Sequence, residues 1–435
     1  MSEVFNHVVV RDAPWTQPVA VAAGLGGGDG ALALLSDGGP GGRWSHVATA
    51  PDRVLVGPVD DGAPFQALRD PAFGAGVVGL AAYDAGARPA TGRRETTWPD
   101  LMLARYPALL TFDHHRLSVQ AVGRGTTVEA AGAAADLAMS WLAEARVVAP
   151  PSAPAETFDA EAPAEAYRAA VSDVVQRIAA GELFQANIAR AWAGALKADA
   201  DPFDVFLHLQ QDRASAFGAY WRIGERALVS NSPELFIAFD AASRRIEARP
   251  IKGTRPRAVD PAQDKALADE LQASAKDRAE NLMIVDLMRN DLARVSQPGS
   301  VRVETLFEIE RHPTVHHLVS TVTARAAAGV GPADLLEATF PPGSITGAPK
   351  HQAMKVIATH EPPRGPWCGS LFLIGESGAL TASVLIRTAG FERSDGVWRF
   401  RTLAGAGIVA DSDPAAEEAE TDVKISAMRD ALIGP

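Results

Sequence analysis

A chain of 435 residues with 47% hydrophobic content can bury a large core, and its length suggests about two or three domains. The formal charge of −12 disfavours a nucleic-acid footprint, which needs basic patches to displace phosphate counterions, but a small anionic ligand remains compatible with it. The single cysteine, Cys368, excludes an internal disulfide and a cysteine-based zinc site and suits a reducing cytoplasm.

The start MSEVFNHVVV lacks the basic and apolar regions of a signal peptide, and no apolar run is long enough to span a membrane. Short apolar runs follow at RVLVG, GAGVVGLAAY and ALLTFD, then an Ala-rich helix over about residues 127–146, so residues 1–150 read as a β-rich region. Pro and small residues interrupt the pattern at 147–165, a linker candidate. Helical spacing of Val171, Val174, Val175 and Ile178 predicts a helix closed by Gly181. Strand-like runs at FGAYWRI, RALVSN, LFIAFD and RRIEAR read as a meander. Helices are expected at 274–295, with Leu282, Val285 or Met283, Leu287 and Leu292 on the apolar face, at 349–359, and at 414–432. Strands are expected at GSLFLIG, ASVLIRTAGF, VWRFRT and AGAGIV. Helices punctuating long β segments suggest α+β layers.

Four clusters carry candidate chemistry, each ordinary when taken alone. In PIKGT, Lys252 is a nucleophilic amine if buried, and a solvated surface charge otherwise. In SPELF, Glu234 becomes a general acid if desolvation raises its pKa. KDRAEN and EEAETDVK place Asp277 with Glu280 and Glu417 with Glu420 on single helix faces. If those faces meet, the acids need a hard divalent cation, and oxygen-only ligation suits Mg2+; solvated acidic faces are the alternative. PPGSITGAPK and LAGAGIVADSDP read as glycine-rich turns whose N–H groups can approach a carboxylate, and Arg387 can add a bidentate contact.

In chain order, GELFQANIAR, SPELF, PIKGT, ENLMIVDLMRNDLARV, VHHLVSTV, FPPGSITGAPK, PWCGS, IRT and GAGIVADSDPAAEEAETDVK closely resemble the chorismate-binding enzyme family. That family includes component I of anthranilate and aminodeoxychorismate synthases and the isochorismate and salicylate synthases. The resemblance implies a catalytic region over 160–432 and an α+β fold, a large sandwich of two antiparallel β-sheets flanked by helices. PIKGT resembles the aminodeoxychorismate branch, where anthranilate synthases typically read PIAGT. The implied reaction takes chorismate and ammonia to 4-amino-4-deoxychorismate, on the route to p-aminobenzoate and folate.

By resemblance, Lys252 is the nucleophile and Glu234 the acid. Glu280 and Glu420 bind Mg2+, while Asp277, where the family often has Glu, and Glu417 support bound water. Arg387, Gly407 and Lys424 meet substrate carboxylates, Gly405 is a further substrate-binding residue, and Thr254, His317, Thr346 and Gly347 line the pocket. Gly405-Ala406-Gly407 departs from the family's triple glycine, and TASVLIRT from its Asp-x-Asn pattern. The lysine base of the water-adding relatives is placed at Ala189, which argues against water addition. With no glutaminase-like cysteine, ammonia is expected from solution or from a separate glutamine amidotransferase subunit. The chain ends soon after the last matching segment, leaving no room there for a fused lyase. The runner-up is an anthranilate synthase, and a silent tryptophan-binding relative is the non-enzymatic alternative.

Overall fold

Branched and aromatic side chains in short runs between Gly, Asp and Pro fit a pleated surface, and here they make strands. In the computed structural model, which describes residues 4–59 and 63–434, they form two antiparallel sheets of 12 and 10 strands. With the helices packed on them, this is the α+β sandwich expected from the sequence. Both sheets take strands from either side of the proline-rich stretch at 147–165. Leu32–Leu35 pairs with Phe217–Ile223 in the larger sheet, and Val77–Ala81 pairs with Ser370–Ile374 in the smaller.

Apolar layers hold the sheets and helices together. Val78, Leu80 and Met102 of the smaller sheet share one buried cluster with Leu110, Trp221 and Leu228 of the larger. On the other face of the smaller sheet lies the Ala275–Ala293 helix, through Ile284, Val285, Met288 and Leu292. The Ala164–Ala179 and Lys350–His360 helices cover the larger sheet near Ile188 and Ile408, with Val171, Val174 and Ile357 buried. Each such side chain contributes about 1.5–3 kcal/mol on burial.

Local chemistry sets the helix ends. The Ala164–Ala179 helix stops where Gly181 turns left-handed (φ 80°), so that Gly181 N–H reaches the Ile178 carbonyl and Glu182 N–H the Arg177 carbonyl. Ser274 caps the Ala275–Ala293 helix by accepting from Asp277 N–H, and Asp413 caps Pro414–Ile433 by accepting from Ala415 and Ala416 N–H.

Several expectations need correction. The middle strands are not one meander: Phe217–Ile223 and Arg226–Ser232 belong to the larger sheet, while Leu235–Asp240 and Arg245–Ala248 belong to the smaller. ASVLIRTAGF is two strands in different sheets, Leu380–Val384 and Thr388–Ser394. AGAGIV, expected as a strand and also read within a glycine-rich turn, is strand: VWRFRT and AGAGI join in the single long strand Val397–Ile408. Leu282 is 45% exposed and Leu287 half-buried, because the packed face of that helix is rotated toward Ile284 and Met288.

A buried ion pair braces the site from behind. Arg364 (1% exposed) donates to Glu361 and to the carbonyls of Ile345 and Asn187, and Glu361 also accepts from Ala189 N–H at 2.8 Å. Removing one partner leaves the other charge buried alone. Glu361→Ala is therefore expected to cost about 3–5 kcal/mol, read as a lower midpoint in denaturant with folding still cooperative.

Candidate active site

The site forms where the chain crosses twice between the sheets. It leaves the larger sheet at Ser232, passes Glu234 and enters the smaller at Leu235; later it leaves the smaller sheet at Val384 and re-enters the larger at Thr388. The crossings are tied to each other, since Val384 N–H donates to the Glu234 carbonyl at 3.1 Å and Asn231 N–H to the Arg387 carbonyl at 3.0 Å. The second crossing turns at Arg387 with φ of 51°, a left-handed conformation costing about 1–2 kcal/mol for a residue with a Cβ. Such strain persists only where the surroundings enforce it, and it gathers at functional sites.

This crossing buries Glu234 to 4% exposure. Burial pushes its carboxyl above the ordinary glutamate range, against the opposing pull of the Ser344 hydroxyl and the Lys252 charge. Lys252 lies on Ile251–Pro256 at the edge of the smaller sheet and donates from Nζ to the Ser344 carbonyl at 2.9 Å. Ser344 thus touches both the amine and the carboxyl. Gly253 is left-handed (φ 87°), and a Cβ there would stand 2.9 Å from the Asp277 carboxylate. The glycine of PIKGT lets the acid-bearing helix close against the lysine strand.

Gly405 and Gly407 serve the same purpose on the larger sheet. A Cβ on Gly405 would stand 2.7 Å from Asn187 Oδ1, and one on Gly407 would stand 2.6 Å from Gln185 Nε2 and 3.5 Å from Lys252 Nζ. Glycine here permits close approach within a strand, while its N–H groups are engaged in a ladder with Gln185–Ala195. Ala406 sits in the same extended strand, so its side chain brings no positive-φ strain.

On that facing strand, Gln185 is the residue that closes on Gly407, the glycine Lys252 also approaches. Ala189 pairs with Gly405, further along the strand. Gln185 is fully buried, and neither end of its amide has a hydrogen-bond partner. Sequence reasoning missed both Gln185 and Ser344. The available signal was a pair of polar residues, Gln185 and Asn187, alternating with Ala186 and Ile188 in a strand buried on both faces.

The acids sit on two helices beside the lysine. Burial raises the Glu280 carboxyl, Lys252 and Lys276 oppose this, and the charges of Glu420 and Asp277 add to the rise. Burial also acts to raise Glu420, but the Lys424 ammonium at 2.6 Å outweighs it and holds that carboxyl low. Asp277 pairs with Arg255 at 3.1 Å; Glu417, 3% exposed, accepts from Ser412 at 2.7 Å and faces Lys276 at 3.5 Å. Among the described residues, no three His, Cys, Asp or Glu side chains converge as a ready-made metal cage. Basic side chains neutralise an oxygen-only cluster instead. Its donor chemistry fits a hard divalent cation bound through one or two carboxylates and water.

Around this centre, Lys424 Nζ donates to the Gly405 carbonyl at 2.9 Å. His317 is 2% exposed, and burial, reinforced by the charge of Arg387, lowers its pKa to about 3, so its imidazole is neutral. Its Nδ1 meets Thr254 Oγ1 at 2.9 Å, although Thr254 itself is exposed. Thr346 donates its hydroxyl to the Pro342 carbonyl, and Gly347 (φ 132°) packs where a Cβ would stand 2.2 Å from the Gln185 carbonyl.

Burial lowers the pKa of the Arg387 guanidinium, and no carboxylate opposes that effect. Arg387 is part-buried, and a cation drawn out of water with no carboxylate pairing it among the described residues suits an anionic ligand. Arg387→Met is expected to raise KM for the anionic substrate tenfold or more, on the order of the 1.5–3 kcal/mol of a charged hydrogen bond. Thermal stability should rise in the same variant, and calorimetry beside steady-state kinetics checks both signs.

Residues 52–430 match the model of the chorismate binding enzyme family. The chain belongs to that family. It is 40% identical over 362 residues to aminodeoxychorismate synthase component 1 of Klebsiella aerogenes, covering 81% of this chain and 76% of that relative. It is 36% identical over 451 aligned positions to anthranilate synthase component 1 of Streptomyces coelicolor, covering 95% and 86%. The crystal structure of anthranilate synthase component I from Streptococcus pneumoniae superposes with a TM-score of 0.76 at 25% identity, covering 89% of this chorismate binding enzyme and 92% of that chain. No helix among its described residues is long and apolar enough to cross a membrane.

Proposed function

We propose that this chorismate binding enzyme converts chorismate and ammonia to 4-amino-4-deoxychorismate and water. The observation that carries the reading is Lys252 and the buried acid Glu234 meeting at Ser344. The 40% identity to a relative named aminodeoxychorismate synthase component 1 supports it.

Lys252 Nζ attacks C2 of chorismate as both conjugated ring double bonds shift and the C4 hydroxyl departs, taking a proton from Glu234 to leave as water. Ammonia then attacks C4, and both double bonds shift back to expel the lysine amine. Arg387 and Lys424 hold substrate carboxylates, with Thr254, His317, Thr346, Gly347, Gly405 and Gly407 shaping the pocket. Mg2+ held by Glu280 and Glu420, with Asp277 and Glu417 behind them, would supply a fixed positive charge for the ring carboxylate. Gln185, which packs on Gly407 from the facing strand, carries an amide with no basic nitrogen to activate water, so addition of water is disfavoured.

Ammonia comes from glutamine through a separate amidotransferase subunit, in keeping with relatives named as one component of a synthase. The reaction takes place in the cytoplasm, whose reducing conditions suit a lone buried thiol. An anthranilate synthase is the second reading, favoured by the relative that aligns with 95% of the chain. Product analysis with chorismate, Mg2+ and ammonium decides between them: aminodeoxychorismate supports the proposal, and anthranilate with pyruvate replaces it. Glutamine should support turnover only once the amidotransferase is added.

A further inference from the structure

A buried hydroxyl beside the acid cluster has no partner. Tyr167, on the Ala164–Ala179 helix, is 4% exposed, and its hydroxyl makes no hydrogen bond in the structure. An unsatisfied buried donor is disfavoured and calls for a specific explanation. Its helix packs against the C-terminal helix Pro414–Ile433. Two arginines tie the C-terminal helix down: Arg168 of the Ala164–Ala179 helix bonds Glu418, and Arg190 of the strand Gln185–Ala195 reaches Thr421 at 3.1 Å and Asp422 at 2.7 Å. On the C-terminal helix, Glu417 and Thr421 are the inward residues at this level. Glu417 and Glu420 are the acids whose charges bear most on the Tyr167 hydroxyl.

The rest of the surroundings leaves this donor to the carboxylates. Glu417 accepts from Ser412 and Lys276 through one oxygen, and Glu420 is held by Lys424, so each acid keeps further oxygen lone pairs. A carboxylate that binds a cation needs a second contact to hold its plane, and a phenol supplies one without adding charge.

We propose that Tyr167 is a positioning residue for the metal, its hydroxyl donating into the Glu417 and Glu420 carboxylates and fixing how they face the ion. This rests on the magnesium reading above. The hydroxyl is idle while lysines neutralise the cluster and is engaged when the cation takes their place.

Tyr167→Phe keeps the ring and removes only the donor. Magnesium chloride is titrated calorimetrically into the full wild-type and variant chains, and the melting temperature of each is measured without metal. The variant is expected to bind Mg2+ about 10–100-fold more weakly. Its metal-free melting temperature should be unchanged or higher, because no hydrogen bond is lost. Raising Mg2+ should recover its activity. Equal affinities overturn this inference and leave the magnesium reading standing. A lower metal-free melting temperature makes the hydroxyl a fold contact and overturns it too. A wild type that binds no magnesium removes both.

Discussion

Lys252→Ala is expected to lower aminodeoxychorismate formation by on the order of 10³-fold or more, the scale seen when a covalent nucleophile is removed. The fold should survive, since the lysine gives it a hydrogen bond to the Ser344 carbonyl worth about 1 kcal/mol. Mutant activity alone does not separate a nucleophile from a substrate-binding cation. Intact mass does: wild type incubated with chorismate and Mg2+ but no ammonia should gain chorismate less one water, with the adduct on Lys252. The variant should gain nothing. A wild type that turns over yet never carries the adduct, even on rapid quenching, would point to direct attack of ammonia on the ring.

Much of the architecture is legible in local sequence because helices and strands announce themselves by period and by caps. The helix that became Ala275–Ala293 is bounded by Ser274, and the one that became Pro414–Ile433 by Asp413 and Pro414, all visible beforehand. What period cannot encode is which sheet a strand joins. SPELF and LIRT read as parts of neighbouring strands, yet each is a crossing between sheets, and the crossings bury Glu234 and strain Arg387. Composition leaves two readings at AGAGI, strand and glycine-rich turn. Glycine there spares Asn187 and Gln185 a clash within a strand, and nothing local distinguishes that need from a turn. The acid helices show a third limit. Spacing puts Asp277 and Glu280 on one face, but it does not say which cation meets which acid: Arg255 of the lysine strand pairs with Asp277, and Lys276 reaches across to Glu417 on the other helix. That Gln185 closes on Gly407 is likewise set by the placement of Gln185–Ala195 beside Val397–Ile408, which only the sheet reveals.

Glu234→Gln is expected to lower kcat by about 10²–10⁴-fold while leaving chorismate binding nearly intact, because the amide keeps the shape of the side chain and loses its acidic proton. The pH dependence identifies the role. Burial raises the Glu234 pKa, so the protonated acid persists above the ordinary glutamate range, and wild-type kcat should fall as pH rises through that raised value. The variant should lack this limb. Stability moves with the opposite preference. Between the ordinary glutamate pKa and the raised one, the folded chain holds a proton that the unfolded chain has released. Rising pH therefore costs wild-type stability across that window, and the loss persists above it. Glutamine has no such proton, so the variant should be the more stable protein at neutral pH and the weaker catalyst. A variant that is both slower and less stable, with the wild-type pH limb retained, would mean that Glu234 only supports the crossing and that the proton comes from another group.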